Sequence, residues 1–265
     1  MRVGATIEAR MGSERLPGKG LRKIGRKILL DHIIDRAKAT GRIDQIILAA
    51  PDTDDNDELE GYALSRGISC YRGQNEPVLH RLAACASVYG LDHIVRLSGD
   101  CPFYDVEMTR ALLDFYLETW EGPHDASNVT QPFDVAWIHS QDRVANSVPR
   151  VIHSKTLRDA ARDFEWFAEH VVAHAEELCF GVLRMGTREL HVPGLRLTVD
   201  EPLDLAFANA IALELGDVDF GLRSIVDLMW RRPDLLVINA EVHQRPPVYD
   251  ADLEGTLAAI EADVR

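Results

Sequence analysis

Residues 2–19 are RVGATIEARMGSERLPGK, a short apolar run followed by a loop that holds two glycines and three cations. A short apolar run bounded by turn residues predicts a buried β-strand, here over residues 2–9. Glycine and proline punctuate the loop that follows, to about Gly20. Glycines let backbone N–H groups approach phosphate oxygens, and arginine and lysine neutralise phosphate charge. The stretch therefore predicts a first strand that leads into a candidate polyphosphate site.

The loop matches neither of two common phosphate-binding patterns. Five residues separate Gly12 from Gly18, where a Walker A loop has four, and Gly20 follows Lys19 where serine or threonine should stand. The loop also lacks the pattern G-x-G-x-x-G. A flexible surface loop with scattered charges remains the alternative interpretation.

Strands and helices alternate along the chain beyond this loop. The predicted strands cover residues 2–9, 46–50, 68–71 and 93–97, and the predicted helices cover residues 28–39, 57–66, 78–89 and 106–119. This alternation predicts an α/β fold with a mostly parallel sheet and helices on both faces. Ligands of such sheets bind beyond the carboxyl ends of the strands. The loops after the first and fourth strands are therefore the candidate site.

The second half of the chain has a weaker pattern between residues 125 and 151. Further on, helices are predicted over residues 164–177, 203–215 and 251–262, and strands over residues 180–185 and 195–199. Neither a repeat nor a linker marks a boundary. We expect a single domain over residues 1–265, with a core over about 2–216, an elaboration over about 125–195 and a helical tail over 217–265.

Composition and charge exclude several classes of protein. Hydrophobic residues make up 46% of the chain and charged residues 27%, which is typical of a globular protein and not of a disordered or collagen-like one. The net charge is −14, although residues 1–40 hold ten Lys/Arg against four Asp/Glu. An acidic chain should not bind nucleic acid, whereas the basic segment calls for a local anion. The lack of a long apolar run and of a leader predicts a cytoplasmic protein without membrane contact.

Two carboxylates follow predicted strands. Asp100 lies in RLSGDCP at residues 96–102, and Asp200 lies in LTVDEP at residues 197–202. Such carboxylates suit Mg²⁺ bound together with a nucleotide. Each could instead cap a turn or the next helix. In combination with the cationic loop, the pair favours metal–triphosphate chemistry.

His170 and His174 are four residues apart on a predicted helix. This spacing places both rings on one face, where they could share a metal. The order of residues is not H-E-x-x-H, so a structural histidine pair is the favoured interpretation.

Five motifs carry a resemblance to a known family. The motifs are EARMGSERLPGK, RLSGDCP, DASN, AEHV and LTVDEPLD, in this order. Through them, about residues 2–216 resemble the cytidylyltransferases related to the spore-coat polysaccharide protein SpsF and to CMP-Kdo and CMP-sialic acid synthetases. The resemblance implies a Rossmann-like nucleotidyltransferase fold, CTP as donor, Mg²⁺ as cofactor, and release of pyrophosphate.

The resemblance also implies roles for individual residues. Those expected to bind the nucleotide are Ala9, Arg10, Met11, Gly12, Ser13, Arg15, Lys19, Arg96, Ser98, Gly99 and Asp100. Those expected to carry catalysis are Arg10, Lys19, Asp100 and Asp200, of which the two aspartates would hold Mg²⁺. Asn128, Glu169 and His170 would face the acceptor.

The chain departs from the family pattern at two places. Glu8 stands where relatives have glutamine, which puts a negative charge near the nucleotide. NSVPRV at residues 146–151 stands where relatives carry D-G-x-D-V-E, so the acceptor pocket is altered. Arg143, Arg150 and His153 could bind an anion there or be ordinary surface cations.

The resemblance and the basic loop together indicate an enzyme that transfers CMP from CTP to a small anionic acceptor. The first expectation is an acidic sugar used in surface-glycan or related biosynthesis. The alternatives are a phosphate- or phosphonate-bearing acceptor and a non-catalytic nucleotide-binding homologue. The sequence does not name the acceptor.

A homodimer is also expected. Relatives are often dimers, and Val135, Trp137 and Ile138 are apolar groups that a single sheet would leave uncovered. A symmetric interface that buries this region would cover them.

Overall fold

The computed structural model describes residues 1–121, 131–138, 147–186, 190–216 and 220–243, together with residue 259. The strands are β1 (Val3–Glu8), β2 (Lys23–Ile24), β3 (Lys27–Ile28), β4 (Gln45–Pro51), β5 (Ser69–Gly73), β6 (His93–Ser98), β7 (Val135–Ile138), β8 (Arg150–His153) and β9 (Phe180–Leu183). The helices are α1 (Leu29–Ala39), α2 (Asp57–Ser65), α3 (Val78–Val88), α4 (Val106–Glu121), α5 (Ser154–Asp163), α6 (Phe167–Ala173), α7 (Pro202–Leu215) and α8 (Leu222–Arg231). Within these ranges, no helix has the length and apolar character needed to cross a membrane.

Seven strands form one sheet in the order β5-β4-β1-β6-β8-β7-β9. The first four strands in this order are parallel. β8 runs antiparallel to β6 and β7, and β7 pairs in parallel with β9. The predicted mostly parallel α/β sheet is confirmed.

Helices cover both faces of this sheet, as β4 shows. Ile46, Leu48 and Ala50 belong to a hydrophobic cluster that includes residues of α1, α4 and α7. Ile47 and Ala49 belong to a second cluster that includes residues of α3, α5 and α6. Because successive strand residues face opposite sides, the two clusters lie on opposite faces.

The carboxyl ends of β1 and β6 lie side by side. Glu8 at the end of β1 is in register with Ser98 at the end of β6. The loops that follow these two parallel strands therefore leave the same edge of the sheet, which is where the sequence places the candidate site.

The segment at residues 195–199 forms no strand of the sheet, so that prediction was wrong. Leu197 and Val199 are buried, which accounts for the apolar alternation. The N–H of Val199 donates to the carbonyl oxygen of Asp100 at 2.8 Å. The segment thus lies against the loop after β6 and brings Asp200 beside Asp100.

The helical prediction over residues 164–177 was wrong in its extent. α6 is shorter, and the extended backbone of Trp166 separates it from α5. The sequence did not predict α5, because its segment SKTLRDAARD holds few apolar residues, nor did it predict α8. The predicted tail helix at residues 251–262 lies outside the described residues except for residue 259.

The residues that suggested an uncovered apolar surface are buried within the chain. Val135, Trp137 and Ile138 are 1%, 6% and 1% exposed. They belong to β7, which lies between β8 and β9, and both hydrophobic clusters cover its faces. This reason for dimerisation was wrong, and the homodimer itself stays a prediction.

Two histidines on neighbouring strands lie in a buried aromatic cluster with residues of α4. His93 and His153 are paired across the β6–β8 ladder, with ring centroids 5.5 Å apart. The Trp120 ring lies 4.9 Å from His93 and 4.4 Å from His153, and the Tyr116 hydroxyl lies 3.0 Å from Nδ1 of His93. Burial lowers the pKa of His93 to about 4 and also lowers the pKa of His153.

We expect the free energy of unfolding to decrease as the pH falls from about 6.5 to about 4. In this window the unfolded chain takes up a proton at residue 93 that the folded chain does not, so acid favours unfolding. For His93 alone the loss should reach about 2–3 kcal/mol. His93→Gln should flatten this part of the profile, measured by urea denaturation across pH. The exposed control His191→Gln should leave the slope unchanged, and an unchanged slope in His93→Gln would contradict the assignment.

Candidate functional site

The loop after β1 is folded back onto the Met11 carbonyl group. This oxygen accepts hydrogen bonds from the N–H groups of Ser13 and Gly18, each at 2.9 Å. The N–H of Met11 donates to Oδ1 of Asn56, also at 2.9 Å. Gly18 has a φ of +63°, in the left-handed region that glycine adopts at little cost. The chain turns there, and Lys19 begins a short 3₁₀ helix.

The ammonium group of Lys19 lies between the two aspartates of the candidate site. Its Nζ donates to Oδ2 of Asp100 and to Oδ1 of Asp200, each at 2.8 Å. The three side chains are 16%, 20% and 12% exposed. Burial alone would lower the pKa of Lys19, but the two carboxylates outweigh burial and raise that pKa. Lys19 is therefore a fixed positive charge at neutral pH.

Two guanidinium groups also bind Asp200. Its Oδ2 accepts a hydrogen bond from Nη2 of Arg196 at 2.8 Å and lies 3.2 Å from Nη2 of Arg15. Burial would raise the pKa of Asp200, but Lys19, Arg15 and Arg196 together lower it. The carboxylate therefore keeps its charge in a half-buried site.

Asp204 fixes the position of Asp200 from within the protein. Its carboxylate is 1% exposed and accepts the N–H groups of Asp200 and Glu201, at 3.0 and 3.1 Å. The same carboxylate binds Nε of Arg196 at 3.0 Å and Nδ2 of Asn239 at 3.0 Å. Asp204 and Arg196 were not predicted from the sequence, because their contacts depend on how the chain folds around Asp200.

The loop after β6 fixes Asp100 in a similar way. The N–H of Gly99 donates to the carbonyl oxygen of Glu8 at 2.8 Å, and a Cβ atom at residue 99 would lie 2.2 Å from that oxygen. Only glycine fits this approach. The N–H of Ser98 donates to the Tyr104 hydroxyl at 2.7 Å, and the Ser98 hydroxyl donates to Oδ1 of Asp100 at 2.5 Å. The free oxygen Oδ2 of Asp100 is thus directed toward Lys19.

The charge of Glu8 is compensated within the protein. Nε and Nη2 of Arg96 donate to the two carboxylate oxygens of Glu8, the second at 3.0 Å. A guanidinium binds a carboxylate strongly in this two-point arrangement. The negative charge expected at residue 8 therefore does not stand alone near a ligand.

A cavity of about 370 Å³ opens beside the Lys19 cluster. The predicted nucleotide-binding residues that line it are Ala9, Arg10, Ser13, Arg15, Lys19, Ser98, Gly99 and Asp100. Among the described residues, Met11 and Gly12 belong to the loop without lining this cavity, and Arg96 lines a neighbouring one. The structure thus brings most of the predicted set to one place.

Arg81 also lines this cavity, although the sequence analysis did not single it out. The side chain is 3% exposed, and its Nη1 donates to the carbonyl oxygens of Gln74 and Asn75 at 2.8 and 2.6 Å. Burial lowers its pKa, although an arginine remains protonated at neutral pH. Arg10 extends toward the same region and binds Glu76 at 3.0 Å. The only signal for Arg81 was a cation on an otherwise apolar face of α3.

A second cavity, of about 320 Å³, shares Ser98, Asp100 and Asp200 with the first. Its other lining residues include Arg96, Tyr104, Trp137, Arg150 and Thr198. Arg96 and Arg150 lie directly opposite each other on the β6–β8 ladder. Glu8 binds Arg96, and the cavity lining still combines two guanidinium groups with the aromatic side chains of Tyr104 and Trp137. The second cavity therefore suits an anion that also carries an organic body.

The structure does not bring Glu169 and His170 into either cavity. The Glu169 carboxylate accepts the N–H of Trp166 at 3.3 Å and caps α6. His170 is 5% exposed, and its ring stacks on His174 with centroids 4.5 Å apart, as a structural pair would. Trp166, which the sequence analysis did not consider, lines the first cavity instead.

The other residues that were predicted to bind the acceptor lie in different places. Asn128 and Arg143 lie outside the described residues. His153 lies in the buried aromatic cluster described above and lines neither cavity. Of the three cations named for the altered segment, Arg150 lines the second cavity.

The space between Asp100 and Asp200 has a donor set that fits a hard divalent cation. Mg²⁺ prefers oxygen ligands, and proteins usually supply one or two carboxylates while phosphates and water complete the shell. Two carboxylate oxygens already converge on one ammonium here. Within the described ranges, no cluster of three or more Asp, Glu, His or Cys forms a complete metal site. The protein thus offers a partial site that a phosphate ligand would complete.

Comparison with known proteins gives a consistent result. The model of the cytidylyltransferase family matches residues 5–189, more than half of the chain. The spore coat polysaccharide biosynthesis protein SpsF of Bacillus subtilis is 27% identical over 236 residues, which cover 86% of this chain and 94% of that protein.

Solved structures share the fold. A cytidylyltransferase from Leptospira borgpetersenii superimposes with a TM-score of 0.75 at 21% identity, covering 94% of this chain and 100% of that one. A CMP:2-keto-3-deoxy-manno-octonic acid synthetase complexed with CTP gives a TM-score of 0.60 at 16% identity, with coverage of 81% and 100%. The predicted nucleotidyltransferase fold is confirmed.

We expect Asp204→Asn to lower the free energy of unfolding by about 2–4 kcal/mol, because it removes the charge of a buried carboxylate that binds the half-buried Arg196. Urea denaturation measures the change. The control Asp159→Asn removes a carboxylate that binds Lys155 and Arg162 on the surface, and should cost less than about 1 kcal/mol. Equal costs for the two variants would contradict the role given to Asp204.

Proposed function

The chain belongs to the cytidylyltransferase family, and we propose that it transfers CMP from CTP to a small anionic acceptor with release of pyrophosphate. One observation carries the proposal. Lys19, Asp100 and Asp200 meet at the junction of two cavities, one lined by a cationic glycine loop and the other by two arginines. CTP takes the first cavity, the acceptor takes the second, and the α-phosphorus lies where they join.

The residues of the first cavity suit a triphosphate. Arg10 and Arg15 offer planar guanidinium groups, and Lys19 offers a compact charge at the end of a flexible stem. These cations bind the β- and γ-phosphates and stabilise the negative charge that develops on the departing pyrophosphate. The related synthetase structure that contains CTP supports this choice of donor.

Asp100 and Asp200 would hold Mg²⁺, whose chemical contribution is to neutralise phosphoryl oxygens during transfer. The chain prepares this position through neighbouring groups. Ser98 orients Asp100, and Asp204 and Arg196 orient Asp200. Asp200 remains ionised because Lys19, Arg15 and Arg196 lower its pKa.

In this reaction the main task of the protein is to position the acceptor oxygen and the triphosphate. An acceptor oxygen forms a bond to the α-phosphorus, the bond from that phosphorus to the oxygen that bridges it to the β-phosphorus breaks so that pyrophosphate leaves, and the proton of the acceptor hydroxyl passes to solvent. Holding the attacking and leaving oxygens in line provides most of the rate enhancement in such transfers. The junction of the two cavities at Asp100 and Asp200 suits this geometry.

The acceptor carries a negative charge. Arg96 and Arg150 place two guanidinium groups on one wall of the second cavity, and Trp137 and Tyr104 supply aromatic surface. An acidic sugar fits this chemistry, and the similarity to SpsF supports a place in surface-polysaccharide biosynthesis. A phosphate- or phosphonate-bearing acceptor shares the same recognition, so the experiment must separate the two classes.

The test combines CTP, Mg²⁺ and a panel of sugar acids, sugar phosphates and phosphonates. We expect pyrophosphate release with at least one acceptor, together with its CMP adduct in the mass spectrum, and no release from ATP, GTP or UTP. Asp100→Asn should lower kcat by about a hundredfold or more. The surface variant Asp159→Asn serves as control. CTP binding without turnover on any acceptor would favour the non-catalytic alternative.

Arg150→Gln separates the acceptor site from the donor site. Loss of one charge-assisted hydrogen bond should raise the KM for the acceptor about tenfold or more while the KM for CTP stays unchanged. Arg10→Gln, which removes a cation from the first cavity only, should show the reverse pattern. Steady-state kinetics with each substrate varied in turn measures both. A parallel rise of both KM values in Arg150→Gln would contradict the assignment of the second cavity.

A further inference from the structure

We propose that the ammonium of Lys19 and a divalent cation exchange places between Asp100 and Asp200, so that the metal and the nucleoside triphosphate bind cooperatively. The inference rests on the proposed function for the identity of the triphosphate, CTP. Its physical basis is the position of one side chain. Lys19 is bound to both carboxylates that would hold the metal, and it also lines the cavity that would hold the phosphates.

The oxygens that face each other in this site are bound by Lys19. They are Oδ2 of Asp100 and Oδ1 of Asp200, each 2.8 Å from Nζ. The other oxygen of each carboxylate has different partners: Ser98 for Asp100, and Arg196 and Arg15 for Asp200. A divalent ion that used both carboxylates would therefore need the two oxygens to which Lys19 is bound.

The charges around the site oppose the simultaneous presence of both cations. Nζ of Lys19 already lies 2.8 Å from each of the two carboxylate oxygens that a metal would use, and Arg15 and Arg196 also bind Asp200. The site is half-buried, so solvent screens these charges less than it would at the surface. A divalent ion at the same two oxygens would lie next to Nζ and be repelled by the ammonium at short range. The metal can bind well only when Nζ moves away.

The structure offers Lys19 a second position. Its side chain has four rotatable methylene groups and extends from the short 3₁₀ helix that follows Gly18. The first cavity lies next to it and is lined by Arg10 and Arg15, where the β- and γ-phosphates of CTP would lie. A triphosphate in this cavity gives the ammonium an anionic partner in place of the aspartates, and the metal then takes the oxygens that Lys19 leaves.

Cooperativity follows from thermodynamic linkage. The metal alone must displace Lys19 into the first cavity with no phosphate there to bind it, and the triphosphate alone must draw Lys19 away from Asp100 and Asp200 with no metal to replace it. When the metal and the triphosphate bind together, a single movement of Lys19 frees the aspartates for the metal and brings the ammonium to the phosphates. Each ligand therefore raises the affinity of the other by the same factor. Lys19 acts as a positioning residue that prevents tight metal binding until the donor substrate is present.

The decisive variant is Lys19→Met, which keeps an unbranched apolar stem and removes the ammonium. With Mn²⁺ alone as probe and free Mn²⁺ measured by electron paramagnetic resonance, the variant should bind the ion about tenfold or more tightly than the wild type. This factor corresponds to the loss of one charge-assisted interaction. Titration of CTP by calorimetry should show weaker binding to the same variant, and CMP should be affected much less because it lacks the β- and γ-phosphates.

Arg10→Met is the matched control. It removes one positive charge from the same cavity, but Arg10 binds Glu76 rather than either aspartate. This variant should weaken CTP without tightening Mn²⁺. If Arg10→Met tightened Mn²⁺ as much as Lys19→Met, the effect would be one of general charge, and the exchange would be overturned.

The readout stays separate from the proposed activity, because Mn²⁺ binding is measured without nucleotide or acceptor. If Lys19→Met binds Mn²⁺ no more tightly than the wild type, including the case in which neither binds, the exchange is overturned while the pyrophosphate assay still decides the enzymatic function. Circular dichroism checks that the variant is folded. If Lys19→Met does not fold, Lys19→Gln keeps a hydrogen-bond donor without the charge, and the same criterion applies to it.

Discussion

The arrangement of the candidate site depends on the contact of one ammonium group with two carboxylates. Lys19, Asp100 and Asp200 come from three separate parts of the chain, and their half-buried side chains meet in two ion pairs of 2.8 Å each. Around this contact, the loop after β1, the loop after β6 and the segment before α7 are fixed by backbone hydrogen bonds to Met11, Glu8 and Asp100. The two cavities meet there because these three segments meet there.

The amino-acid sequence predicted the part of the structure that depends on local patterns. Apolar runs bounded by glycine and proline located β1, β4, β5 and β6, and the rule for parallel sheets placed Asp100 beside the cationic loop. The pattern of apolar residues gave a wrong strand prediction where residues are buried but do not pair with a neighbouring strand. Leu197 and Val199 are buried like strand residues, yet their segment joins no ladder. Similarly, the covering of Trp137 by neighbouring elements is a tertiary effect that local hydrophobicity does not report.

The supporting residues of the site were harder to predict than the residues that line it. Asp204 and Arg196 flank Asp200 in the sequence, and only the fold shows that they fix its carboxylate and its backbone N–H. Arg81 looks like any cation on an amphipathic helix until its burial beside a cavity is seen. Glu169 illustrates the converse, because a residue implied by family resemblance has the structural task of capping α6. Sequence motifs indicate which residues could carry out the chemistry, whereas the residues that hold them in place are defined by contacts between distant parts of the chain.

The pairing of Glu8 with Arg96 has a consequence for how such a protein can diverge. Glu8 lines the first cavity and Arg96 lines the second, so one ion pair forms part of the walls of both binding spaces. Substitutions at these two positions are therefore epistatic. Glu8→Gln alone makes the second cavity more positive, whereas loss of Arg96 alone leaves a half-buried carboxylate in the wall of the first cavity. If residue 8 changes before residue 96, the single intermediate carries no uncompensated negative charge in the wall of the first cavity.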